Sequence, residues 1–324
     1  MITFDKLKIV SDINNISNID ESVFHTNTLD GQIIEQKYSI QSPYQLYIEA
    51  DYIERELVIE FGGKILKDDY PKLINTDTIA TCLSNINALG ICKLNIDNIL
   101  EDGEVVKADV CKDAYYSDYK VLTTTLQASI SNYKKYQARN ISGNLVIEKN
   151  VQTKGLKRRL TIYNKHRELQ RASNRHFLDI VEDSQGLLKA FENKVRFEIN
   201  LNSKEQIRQC LHITSTNLAS VLTSTANPLF EFLDAAITDT DIGSNCSSIT
   251  ELKNQLLLEH CSNDLTKVEA MLRRYCSPNT HISQVIRPYR ELLIKLSSSP
   301  SGNIKDKLRK LLMEIVVLFG IVSF

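Results

Sequence analysis

A chain of 324 residues, 42% of them hydrophobic, exceeds the usual size of one compact domain and carries enough apolar material for a real core, so two domains are expected. Its seven cysteines form no C-x-x-C pair, which fits neither a disulfide framework nor a zinc-finger spacing and points to a reducing, cytoplasmic setting. The formal charge of −1 excludes a uniformly basic nucleic-acid binder, but residues 134–175 hold 12 Lys/Arg against 2 Asp/Glu, a local stripe dense enough to neutralise phosphates.

The N-terminus, "MITFDKLKIVSD", has two early acids and no signal-peptide core. It opens a series of short apolar stretches with turn signals between them: "DKLKIVSD", "YQLYIEADY", "ERELVIEFGGKIL", "VVKADVCKDAYY", "GNLVIEKN", "RLTIYNK" and "NKVRFEINLN". These predict strands of one sheet. Helices are predicted over "NTDTIATCLSNINALGI", with Asn75 as cap, over "DYKVLTTTLQASISNYKKYQARN", and over part of residues 166–193. Interleaving without a βαβ repeat gives an α+β class, an antiparallel sheet with helices on one face, for a first domain of residues 1–202.

From Ser203 the periodicity turns helical, predicting a mostly α-helical domain over residues 203–324. Within it "DLTKVEAMLRRYC" and "HISQVIRPYRELLIKL", joined by "SPNT", have the length of a helix-turn-helix, which either packs as a plain helix pair or offers Arg273, Arg274, Arg287 and Arg290 to DNA. The apolar tail "LLMEIVVLFGIVSF" is too short for a bilayer span, so a buried tail and no membrane partner are expected.

In "RLTIYNK", strand alternation would put Thr161, Tyr163 and Lys165 on one face. A phenol with a pKa near ~10 attacks phosphorus only with cations or a metal beside it. Arg159, Lys165 and Arg167 are at hand; the competing reading makes Tyr163 a half-buried sheet residue. "KVRFEINL" sets Arg196 and Glu198 opposite Val195, Phe197 and Ile199, "VVKADVCKD" aligns Lys107, Asp109 and Cys111, and "ELVIEFGGK" offers Glu60. Three carboxylates on three strands either converge to hold Mg²⁺ or Mn²⁺ or are absorbed by separate salt bridges.

"TIYNKHRELQ", followed about thirty residues later by "VRFEINL", resembles the gene II/X family of phage and plasmid replication initiators, the filamentous-phage type of rolling-circle nicking protein. The resemblance covers roughly residues 50–202. It implies a divergent rolling-circle nuclease-like domain in which Tyr163 cuts one DNA strand, forming a 5′-phosphotyrosine and freeing a 3′-hydroxyl for the host replication machinery. It further implies that Lys165 orients the phosphate or stabilises the tyrosyl oxygen, and that Glu198, Asp109 and Glu60 are metal or general-base carboxylates. Arg196 would bind phosphate or hold Glu198, with Lys157, Arg158, Arg159, Arg167 and Arg171 on DNA. The broader class binds its metal through two histidines flanking one apolar residue; this chain has no such triplet, leaving the carboxylates, with a histidine such as His166. Termination would use a second subunit of a homo-oligomer, hydrolysis, or the helically spaced Tyr133 and Tyr136. A relaxase would share the chemistry, and the rival class is a non-catalytic phage or plasmid repressor.

Overall fold

The computed structural model describes residues 2–130, 136–149, 158–237, 248–277, 280–297 and 311–312. Two compact units emerge that do not follow chain order: residues 1–113 with 164–228, and residues 114–163 with 229–324. The boundary expected after residue 202 falls inside the first unit. The reason is backbone pairing: the Val105 amide bonds the Thr216 carbonyl at 2.8 Å and the Leu218 amide bonds Gly103 at 2.8 Å, returning the chain after residue 202 to the first unit.

The first unit is built on a large antiparallel sheet. Its strands are β1 (Phe4–Asp12), β3 (His25–Leu29), β4 (Gln32–Ile40), β5 (Leu46–Asp51), β6 (Glu56–Gly62), β8 (Glu104–Tyr115) and β12 (Lys194–Leu201), in the order β3-β4-β5-β6-β1-β8-β12. The small strands β2 (Ile16–Ser17) and β7 (Lys93–Leu94) pair separately. The β3–β4 hairpin, which the sequence pattern did not suggest, turns on Asp30 and Gly31, both at positive φ (51° and 80°), the geometry that matches strand twist in a tight hairpin. Its side chains are mostly polar and half-exposed, so no alternation announces it.

One sheet face is apolar. Leu7, Ile9, Ile48, Ile59, Phe61 and Phe197 are fully buried, and α2 (Ile96–Asp102) packs on the Ile9 side, where its Asp102 accepts a bond from Ser11. The other face carries Lys6, Lys8, Glu60, Asp109 and Asn200. At one end of this polar face α4 (Lys165–Leu169), α5 (Arg175–Asp179) and α6 (Ser184–Ala190) form an apolar cap in which Leu169, Phe177, Leu187 and Phe191 pack with Cys111 and Tyr70. Helices therefore cover both faces rather than the single face expected: α1 (Ile79–Asn87) and α2 follow the first half of the sheet in sequence, while α4 to α6 lie in the stretch that leads into β12. α7 (Lys204–Leu211) and α8 (Leu218–Leu222) complete the unit.

The second unit contains α3 (Tyr119–Ser129), strands β9 (Tyr136–Ile141), β10 (Asn144–Lys149) and β11 (Arg159–Asn164), and α9 (Pro228–Ala236), α10 (Ile249–His260), α11 (Leu265–Arg273) and α12 (Ile282–Ser297). The long helix expected over residues 118–140 ends at Ser129, and from Tyr136 the chain is β9; residues 131–135 lie outside the described residues. Tyr136 and Ala138 are buried at a spacing of two, and Ser142-Gly143, at φ 52° and 82°, return the chain into β10. Tyr133 lies outside the described residues; Tyr136 is a strand residue, so no helical Tyr pair includes it. α10, α11 and α12 share a core of Leu258, Leu265, Val268 and Ile286, as the helical periodicity predicted. Arg273 and Arg287 each bond a glutamate one turn away on their own helix, at 2.6 Å. No helix among the described residues is long and apolar enough to cross a membrane; residues 313–324 of the apolar tail lie outside them.

Gly103 closes α2 with its amide on the Ile99 carbonyl at 3.0 Å, and a Cβ there would stand 2.4 Å from that oxygen and 3.0 Å from Ile9. Gly103→Ala is expected to lower stability by about 1–3 kcal/mol through overpacking, read as a lower urea midpoint with an unchanged slope.

Candidate functional site

Arg196 stands on β12 opposite the buried Val195 and Phe197, so alternation sends it to the polar face, where the helical cap encloses it completely, at 0% exposure. A buried guanidinium persists only if its donors are met by fixed anions. Asp113 takes Nε at 2.6 Å and Nη2 at 2.7 Å in a bidentate fork, while Nη1 bonds Asp5 at 2.6 Å and the Tyr70 hydroxyl at 2.9 Å. Asp5 reaches the cluster because β1 carries one extra residue between Phe4 and Lys6 in its pairing with β8, a bulge that re-aims the side chain. Burial alone would raise the Asp5 carboxyl, but Arg196, then Lys165, the Tyr70 hydrogen bond and Lys64 outweigh it and bring it down to about 2. Burial pushes the Tyr70 phenol well above its ordinary value against the pull of Arg196, so it stays protonated and donates to Asp5 at 2.9 Å.

Lys165 is 2% exposed and opens α4 instead of extending β11 as expected, because the Asn164 side chain caps the helix by accepting the Arg167 amide at 2.8 Å. Its ammonium bonds Glu168 at 2.7 Å, one turn on, and lies 5.0 Å from the centre of the Tyr70 ring. Asn174 donates to both the backbone and the carboxylate of Glu168, at 2.6 and 2.9 Å. This orients its amide oxygen, which accepts Lys64 at 2.6 Å. Lys64 and Tyr70 belong to the irregular helical segment Gly63–Lys72, which is kinked at the strained Lys67 (φ 54°, ψ −115°) and ends at Leu73 (φ 59°, ψ 176°). Asp68 pins that segment by accepting the Glu182 and Asp183 amides. Burial raises the Glu168 carboxyl less than Lys165 and Lys64 lower it, so it too lies below its ordinary range.

Of the residues singled out in the sequence, the structure brings Lys165 and Arg196 into this one cluster. Arg196 is not at a DNA surface and does not hold Glu198: its bonds go to Asp113, Asp5 and Tyr70, since a fully enclosed guanidinium needs compensation inside the protein. Asp5, Tyr70, Asp113 and Asn174 were missed. Asp113 was within reach of the pattern, since it continues the Lys107, Asp109, Cys111 alternation; Asp5 was not, because a bulge leaves no sequence mark.

Glu60, Asp109 and Glu198 fall on β6, β8 and β12 of the polar face, with β1 between the first two, and among the described residues they are not an acidic group close enough to share a cation. The Lys6 ammonium lies between two of them, 3.0 Å from Glu60 and 3.9 Å from Asp109. Burial lowers Lys6 less than Asp109, Glu60 and Glu198 raise it, so it remains charged there. Burial pushes the Asp109 carboxyl up, against the Asn200 amide at 2.8 Å and the Lys6 charge. Among the described residues, the acidic group that could hold a metal ion is Glu35, Glu49 and Asp51, whose ligand atoms lie within 4.8 Å of one another. Lys37 already bonds two of them, at 2.6 and 3.2 Å. His166 is no ready ligand: Nδ1 meets the Leu188 carbonyl at 2.9 Å, which makes it the donor nitrogen, and Nε2 accepts Gln170 at 2.8 Å.

Tyr163 is the penultimate residue of β11 and 9% exposed. In the basic stretch, Arg159, Arg167 and Arg171 are exposed and Arg158 is half-buried; Lys157 lies outside the described residues. Arg159 lies 4.0 Å from Glu148 on the paired strand.

Asp113→Ala is expected to cost about 3–5 kcal/mol by stranding a buried guanidinium, and adding Arg196→Met should recover part of that loss in urea unfolding. Because the folded state holds Asp5 near 2 instead of 3.8, the unfolded chain binds more protons between those values. The stabilisation, roughly 2 kcal/mol, is present above pH 4 and lost as pH falls through 2. Asp5→Asn should therefore be less stable than the parent at pH 5, the gap closing toward pH 2. No family model, curated protein or solved structure matches this chain.

Proposed function

We propose that the chain is a rolling-circle replication initiator that nicks and rejoins one DNA strand through a 5′-phosphotyrosine at Tyr163. The supporting observation is that Lys165 and Glu168 of one resembling stretch and Arg196 of the other, distant in sequence, meet in a single buried cluster, and Lys165 follows Tyr163 by two residues. Consecutive Cα atoms are ~3.8 Å apart, so those of Tyr163 and Lys165 are within about 7.6 Å whatever the backbone does. In this reading the cluster's work is to hold Lys165 rigid. Glu168 anchors its ammonium, Tyr70 lies against it, and the Arg196 pairs fix Tyr70. A cation held this way stabilises charge on the phosphate in the transition state without reorganising.

The attack forms a bond from the Tyr163 oxygen to phosphorus and breaks the bond from phosphorus to the 3′-oxygen, which leaves as a 3′-hydroxyl for the host polymerase to extend. The exposed Arg167 and Arg171 would take neighbouring phosphates. A divalent cation, when bound, polarises an oxygen ligand; Glu35, Glu49 and Asp51 could hold one. Glu49 pairs with Val58, which pairs with Val10. That level is five residues along β1 and two strands across from Asp5, roughly 19 Å away at ~3.3 Å per residue and ~4.8 Å per strand, so no step here passes through it.

A second reading, a non-catalytic DNA-binding repressor, is favoured by one observation: Tyr163 is 9% exposed while Arg167 and Arg171 near it are exposed and could meet DNA without any chemistry. Purified protein incubated with supercoiled DNA of its own element and Mn²⁺, then denatured and digested, is expected to yield a tryptic peptide with a 5′-phosphate on Tyr163. Tyr163→Phe should abolish the adduct, and Lys165→Met should slow its formation about 10²–10³-fold. DNA binding with no adduct, across divalent metals and across single- and double-stranded substrates, would decide for the repressor.

A further inference from the structure

Residues 265–297, which contain the helix pair α11–α12, hold six Lys/Arg against two Asp/Glu, an excess that a chain of net charge −1 does not owe to its average. The pair shares a core with α10 through Leu265, Val268, Ile286, Leu292 and Leu293, so the side of α12 that carries Ile286 and Leu293 is spent on packing. Helical spacing then turns Ser283, Gln284 and Arg287 together to the opposite side, and all three are exposed. The connector Arg274–His281 is longer than the three or four residues of a compact helix-turn-helix. It presents Arg274 and Tyr275 to solvent, the tyrosine at 86% exposure, and is tied across by the Ser277 and Thr280 hydroxyls, 2.9 Å apart. Of the other arginines, Arg290 is half-buried and Arg273 is held twice by Glu269, at 2.6 and 3.0 Å. Arg287 bonds Glu291 at 2.6 Å, but both groups stand in water, where such a pair is weak and readily exchanged for another acceptor.

We propose that the α11–α12 pair reads double-stranded DNA: the first half of α12 enters the major groove with Gln284 and Arg287 on base edges, while Arg274 and Tyr275 hold the backbone from the connector. The residue types match those partners. A glutamine amide meets N6 and N7 of adenine, and a guanidinium meets O6 and N7 of guanine, each through two hydrogen bonds. The start of the second helix is the part that such a pair offers to base edges, and it is the part of α12 where the polar exposed side chains stand. An arginine and a phenol on a connector bind phosphates and fix register without reading sequence. A single strand is the poorer occupant, because it stacks successive bases on several rings; here Tyr275 is exposed and Tyr289, the other aromatic residue of the pair, packs against the core. The surface lies wholly in the second unit and is independent of the chemistry at Tyr163: it would give an initiator its origin or a repressor its operator.

The test uses the full chain without divalent cations, so that binding is read apart from cutting, and a pool of duplexes with a randomised core of about 20 base pairs, room for two half-sites one helical turn apart. Repeated capture is expected to enrich one sequence, bound about 10³-fold or more tightly than its scrambled form. On single base-pair changes of that duplex, Gln284→Ala and Arg287→Ala should each lose the preference at one position, a drop of about 10–100-fold in discrimination. Arg287→Lys, which keeps the charge without the fork, should lose the same preference, keep the parent's salt dependence, and guard against misfolding of the alanine variants. Arg274→Ala should weaken the selected and scrambled duplexes alike and reduce the salt slope by about 0.9. If no duplex is enriched, if the α12 variants keep the parent's preference at every base pair, or if only single-stranded oligonucleotides bind, the pair is not a duplex reader, and a Tyr163 adduct would stand regardless. If the α12 variants lose the preference while the parent forms no adduct, the duplex reader stands and the nicking reading falls.

Discussion

The enclosed charge of Arg196 is the constraint on which the first unit depends. A guanidinium removed from water loses several kcal/mol of solvation, and that loss is offset only by anions placed with hydrogen-bond accuracy. Asp113 lies on the strand beside Arg196, Asp5 on the strand beyond, and Tyr70 in the segment that crosses above them. Three distant parts of the chain must arrive together before the arginine can be buried, so this ion cluster fixes the register of β1, β8 and β12 and seats the helical cap. An apolar core tolerates small slips, but a bidentate pair at 2.6 and 2.7 Å does not.

The same constraint explains why the polar face has two characters. Under the cap, charges are buried, held by fixed partners and shielded from salt. Beyond it, Lys6, Lys8, Glu60 and Asp109 form a ladder that water still reaches, and each lysine there acts as the counter-ion that a metal would otherwise supply. The carboxylates that alternation picks out are thus on the expected face but serve a different partner. Lysine on β1, the strand between β6 and β8, is what separates a salt-bridged sheet from a metal centre.

The cluster also relates rigidity to chemistry. Lys165 is fixed by a carboxylate one turn away and by an aromatic ring that is itself fixed through Arg196. Lys64 is fixed by an amide whose orientation is set by that same carboxylate. Glu168 therefore couples the two lysines: one is neutralised by an ion pair, and the other is left with a dipole. Two identical side chains a short way apart are thus held by different partners, a carboxylate and an amide.

Much of the fold was legible in the sequence where a single period ran uninterrupted. The apolar alternation of Val195, Phe197 and Ile199, and the helical spacing in α10 to α12, follow from side-chain geometry alone and hold in the structure. The pattern failed where residues were polar on both sides, as in the β3–β4 hairpin, or where a helix passed into a strand without a strong breaker, as between α3 and β9. In the candidate site, the sequence by itself determined that Arg196 turns away from the apolar face, since that follows from strand alternation. Only the tertiary structure decided that Arg196 is buried, that Lys6 stands among the expected metal ligands, and that Asp5, Tyr70, Asn174 and Lys64 join the cluster. A bulge, a strained crossing segment and the partner of a buried charge are properties of contacts between distant residues, and no local period encodes them.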